Sequence, residues 1–118
     1  MSQNYINNKP IDSTIIIKLR AECYNNLDSV KQSVSDFRYL NSENPNDYYF
    51  VDAVSQVYIK HKLYNDAQVE IDNLKTDSKT NEVGLVQQAH LAFAQENIQL
   101  ALTLIDTALK IYPESLRL

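Results

Sequence analysis

The sequence predicts an all-α protein built from three consecutive helix-turn-helix units, and three observations carry that expectation. One pattern recurs every 34 positions: Ile98, Ala101, Ile105 and Ala108 map onto Tyr64, Ala67, Ile71 and Leu74, and again onto Val30, Ser33, Phe37 and Leu40. Pro45 and Pro113 hold the same place in the first and last units. A fixed period of this size marks a helical-repeat architecture. Within each unit the apolar residues return every 3.6 residues or so, the spacing of one helix face. A single Gly and three Pro in 118 residues leave little turn material for a sandwich or barrel.

Residues 1–13 are polar and carry Pro10, so they read as a flexible N-terminal arm before a single domain at 14–118. Asp12 or Ser13 can cap the first helix, 14–27, which places Ile17, Ala21 and Tyr24 on one face. Asp28 can cap the second, with Val30, Ser33, Val34, Phe37 and Leu40 inward, and 41–45 ends it before Pro45. The span 47–62 repeats the first helix, with Val51, Val54, Ser55 and Tyr58 inward. Its partner begins near Asn65, where Gln68 suggests a capping box. The third pair spans 82–95, with Leu85, Ala89 and Ala92, and 97–112, closed by Pro113.

Stacked as 14–47, 48–81 and 82–115, the units share two small columns: Ala21, Ser55 and Ala89, then Ser33, Ala67 and Ala101. Two antiparallel helices approach closely only where side chains are short. Ile17, Val51 and Leu85, and Phe37, Ile71 and Ile105, supply the bulk between them.

These columns, the turn Tyr64-Asn65-Asp66-Ala67 and the closing run Ala101, Ile105, Ala108, Pro113 resemble the tetratricopeptide repeat (TPR) family across 14–115. Arg20 and Gln88 depart from it where an apolar residue is usual, Leu40 and Leu74 replace an alanine, and Lys79 replaces a proline. The resemblance implies a right-handed α-solenoid whose first helices line a concave groove for a segment of another protein. By register the groove residues are Lys18, Glu22 and Asn25; Tyr49, Asp52, Gln56, Ile59 and Lys60; and Val83, Val86, Gln87, His90 and Phe93. The family's carboxylate clamp for Hsp70 and Hsp90 tails is not reproduced. Only Lys18 fits, while Glu22, Ala53, Val83 and Gln87 stand at the other clamp positions.

Net charge is −4, with no basic run, so no nucleic-acid partner is expected. The longest apolar run, 14–17, cannot span a membrane, and the N-terminus lacks a signal-peptide pattern, so the expected location is cytoplasmic. Cys23 reads as a small packed hydrophobe, and His61 and His90 have no metal-ligand neighbours in sequence. No nucleotide or nucleophile motif is present, so the expectation is a non-enzymatic protein without metal, cofactor or catalytic residues.

In the last helix only Gln99, Thr103, Asp106 and Lys110 form a polar stripe. Leu100, Leu102, Leu104, Ile105, Leu109 and Ile111 spread over the rest, and no capping helix is expected within the sequence after it. A helix apolar on most sides expects cover on most sides. Leu100, Leu102, Leu104, Leu109 and Ile111 are therefore an expected interface with a second copy (a homodimer), a partner, or further repeats. The functional expectation is a scaffold-like interaction module that binds a partner segment or self-associates. The alternatives are a small dedicated chaperone or assembly factor, and an oligomerisation fragment of a longer repeat protein.

Overall fold

The computed structural model describes residues 5–6, 9–10 and 12–112, and the expected stop at Pro113 lies outside them. Two short strands, β1 (Tyr5–Ile6) and β2 (Lys9–Pro10), pair antiparallel within the expected arm, most of which also lies outside the described residues. Among the described residues six helices follow: α1 (Ser13–Asn26), α2 (Val30–Glu43), α3 (Tyr48–Lys60), α4 (Tyr64–Thr76), α5 (Asn81–Ala94) and α6 (Ile98–Ile111). Each packs on its neighbour in sequence, and α3 also packs on α5. This is an all-α helical-repeat solenoid.

The period is written into the backbone. Asp28, Lys62 and Glu96 adopt φ of 60°, 61° and 64°, and they stand 34 residues apart. Each sits just past the first helix of its pair. The following amide (Ser29, Leu63, Asn97) donates to the carbonyl of Tyr24, Tyr58 or Ala92, at 2.9 Å each time. The left-handed residue donates in turn to Asn25, Ile59 or Phe93. These are Schellman closures, which satisfy the free carbonyls of a helix end and turn the chain sharply. They are closed without glycine at the left-handed position.

Two cap assignments are corrected by this geometry. Asp28 is the left-handed turn residue, and Ser29, with no side-chain cap bond, precedes α2. Helix α4 starts at Tyr64 with Leu63 as its N-cap, two residues early for a capping box of Asn65 and Gln68, and the Gln68 amide donates instead to Asp72 and Gln88. At α1 the expected cap is present, Asp12 accepting from the Thr14 amide at 2.9 Å; Asp47, read as the first residue of its helix, instead caps α3, accepting from the Tyr49 amide at 3.0 Å.

Both small columns are buried throughout, from Ala21 and Ser33 to Ala89 and Ala101. The core is two consecutive blocks. One joins the first two units through Phe37, Leu40, Phe50, Val54 and Val57, and the other joins the last two through Ile59, Ala67, Ile71 and Leu91. In the column Ile17, Val51, Leu85 only Val51 is fully closed over, because among the described residues only the middle unit has neighbours on both sides. The stripe of the last helix is corrected likewise: Ala101 and Ala108 are buried, while Ile98 and Ile105 are exposed.

The departures in the apolar columns become polar ties. Arg20 donates to both oxygens of buried Asp36 at 2.9 and 2.8 Å, a charge-assisted fork between α1 and α2. Gln88 and Gln68 exchange amide bonds between α5 and α4 at 2.9 and 2.8 Å. Gly84 permits the tight α4/α5 crossing, since a Cβ there would meet the Leu74 Cβ at 3.1 Å and the Lys75 amide nitrogen at 3.0 Å. Cys23 is exposed, contrary to its expected packing, because it points away from the Ala21 contact with α2.

Candidate partner-binding surfaces

The groove residues carried over by register divide into two separate surfaces. The first is a cleft of about 280 Å³ where α1 and α3 lie side by side. Helix α1 supplies Glu22 and Asn25, and α3 supplies Tyr49, Asp52 and Gln56 one turn apart along its face. Phe37, Ala53 and Val57 form the floor. Lys18 lies at the rim with its ammonium 4.5 Å from the centre of the Tyr49 ring, a cation–π contact. Tyr49 also meets Phe37 and Phe50 edge-on, so its ring is held from below while its outer part stays open.

Asp52 is the central group of this cleft. Burial pushes its carboxyl above the ordinary carboxylate value, and amide donation from Gln56 and Gln87 and the nearby His90 only partly offset that. Among the described residues no Lys or Arg pairs with it. Gln87 is spent on this contact: its amide donates to Asp52, it is 2% exposed, and its own Oε1 has no partner among the described residues. It is therefore not a groove-surface residue as expected, but a buried tie between α3 and α5.

At the end of the cleft the two units are laced together. The His61 Nε2 carries its proton toward Asn25, 3.1 Å from the backbone oxygen and 2.7 Å from Oδ1, both of which can only accept. The Lys60 ammonium donates to Asn26 at 3.0 Å. Asn25 and Lys60 are thus already engaged within the chain.

The second surface is an apolar pocket of about 340 Å³ between α5 and α6, lined by Val86, Ala89, His90, Phe93, Ile105, Ala108 and Leu109. Three expected groove residues, Val86, His90 and Phe93, lie here rather than in the cleft, and half-buried Val83 lines neither surface. Of the expected C-terminal interface, Leu109 lines the pocket, Leu104 is half-buried, and Leu100, Leu102 and Ile111 are exposed elsewhere on α6. Ile59, expected in the groove, is only 6% exposed because α5 lies over it. Ile105 and Ala108 were read as inward and missed as pocket residues. Translation by one period would have found them, since Ile71 and Leu74, at their positions in the middle unit, are the residues that α5 covers.

Among the described residues no group of three or more His, Cys, Asp or Glu could hold a metal ion. No helix among them is long and apolar enough to cross a membrane. No protein-family model matches the chain, and neither a curated protein nor a solved structure matches it significantly.

Proposed function

We propose that this chain is a TPR-like protein-interaction module of the cytoplasm, and that the α1/α3 cleft holds an extended segment of a partner protein. The observation that carries this reading is Asp52: a carboxylate kept half-buried in an open cleft that Glu22 also lines, with no Lys or Arg paired to it among the described residues. Ion pairing with an incoming cation would offset the desolvation of that carboxylate. The amide of Gln56 and the exposed part of Tyr49 add hydrogen-bonding and stacking contacts around it. The segment that fits is one presenting Lys or Arg next to an apolar or aromatic residue.

Selection from a displayed peptide library, followed by calorimetry on the enriched sequences, tests the reading. Enriched peptides are expected to share a basic residue and to lose at least about tenfold in affinity, roughly 1.4 kcal/mol, against Asp52→Lys. A library that yields no basic consensus, or binding indifferent to Asp52→Lys and Glu22→Lys, rejects it.

A second reading, self-association, is favoured by the apolar pocket between α5 and α6, where Phe93 and Ile105 are exposed in the described structure. An exposed apolar recess of this kind marks a contact surface more often than a solvent-facing one.

A further inference from the structure

We infer that copies of this chain assemble head to tail, α1 of one copy seating in the α5/α6 pocket of the next. The inference rests on reading the C-terminal end as a contact surface and is independent of the cleft. The seat is the inter-unit interface carried one period further. Phe93, Ile105 and Ala108 stand where Ile59, Ile71 and Leu74 stand in the middle unit, 34 residues earlier. There α5 covers them: Leu91 packs with Ile59 and Ile71, which are 6% and 0% exposed. In the last unit Phe93 is 62% and Ile105 43% exposed.

Helix α1 carries the matching face. Ile16, Leu19 and Cys23 stand at the positions of Phe50, Ala53 and Val57, which α3 buries against the first unit. In α1 all three are exposed. The two faces are thus the two halves of a joint made twice within the chain, and the shape of that joint is already given by α2/α3 and α4/α5.

The side chains at the joint favour another copy over an unrelated helix. The internal contact Asp52–Gln87 translates to Val86 of one copy against Leu19 of the next. The internal contact Asn25–His61 translates to Phe93 against Leu27. Both internal pairs are polar, and both translated pairs are apolar, formed from four residues exposed in the single chain. A contact between two different faces does not close on itself, so it propagates into a ring or an open filament.

Sedimentation velocity over a concentration series, on the full chain, tests this with Leu19→Glu and Phe93→Glu. Both positions are exposed, and circular dichroism checks that helicity is retained; Leu27→Glu replaces Leu19→Glu if that variant does not fold. The wild type is expected to grow beyond a dimer with concentration, and each variant alone to stay monomeric. An equimolar mixture of the two is expected to give a dimer and nothing larger, because one variant keeps an intact seat and the other an intact α1. A wild type that stays monomeric, a wild type that stops at a dimer, or a mixture that does not pair overturns the inference. If the wild type is monomeric while Phe93→Glu weakens binding to a foreign protein, the head-to-tail joint is rejected and the C-terminal contact surface stands.

Discussion

The Ser33 hydroxyl donates to the backbone carbonyl of Ala21 at 2.8 Å, and both residues are fully buried. The two small columns of the first unit therefore touch, and the contact is a hydrogen bond rather than mere proximity. Ser55 lies equally buried in the first of those columns, yet its hydroxyl has no partner among the described residues. The two serines should respond in opposite directions to alanine. Ser33→Ala is expected to lower stability by about 1 kcal/mol, and Ser55→Ala to raise it by a similar amount, since an unmade buried bond costs more than a made one gains. Urea denaturation midpoints check both.

The left-handed residues at the three turns give a second series. An L-residue in that conformation costs about 1–2 kcal/mol, and glycine avoids this while adding about 0.5–1 kcal/mol of unfolded-chain freedom. Lys62→Gly and Glu96→Gly should each stabilise the fold by a few tenths to about 1 kcal/mol. Asp28→Gly should gain less, because a short polar Asp side chain tolerates the left-handed region better than Lys or Glu does. Thermal melts of the three variants rank them.

Gly84 sets helix propensity against packing. Leucine is the better helix former by about 1 kcal/mol. Its Cβ would nevertheless press on Leu74 and on the Lys75 backbone, and overpacking of this kind costs about 1–3 kcal/mol. Gly84→Leu is therefore expected to destabilise the α4/α5 joint, with hydrogen exchange in α5 and α6 rising before that in α1. Equal or greater stability would show that the crossing has slack.

Asp52 makes stability depend on pH with a definite sign. Its folded-state pKa lies above the ordinary value of 3.8, so between the two the folded chain holds a proton that the unfolded chain has released. Stability should fall as pH rises through that window, with the penalty fully present above the raised value. Asp52→Asn removes this contribution and should be the more stable form at neutral pH. Urea midpoints of both proteins from about pH 3 to about pH 7 measure the difference between the curves.

The repeat was legible because its signal is backbone-scale: small columns and apolar spacing that any 34-residue translation exposes. The site was only half legible, for a physical reason. Register names the residues that lie on one side of a helix, but burial depends on whether a following unit sits there. Ile59 and Phe93 share a register and differ from 6% to 62% exposed on that ground alone. Gln87 escaped in another way. Register put it on the groove surface, whereas the carboxylate of Asp52 draws it into the α3/α5 contact. The turn residue Asp28 was misread as a cap because a left-handed Asp carries no compositional mark, and glycine, the usual sign, stands elsewhere.

The recurrence of one left-handed residue and one 2.9 Å closure at every 34th position amounts to a screw operation acting on the backbone. A screw has a pitch but no last turn. Nothing in that geometry sets how many units the protein contains, so its extent must be decided by side chains at its two ends. Selection on those end faces can therefore lengthen, cap or join the structure while leaving every internal turn untouched.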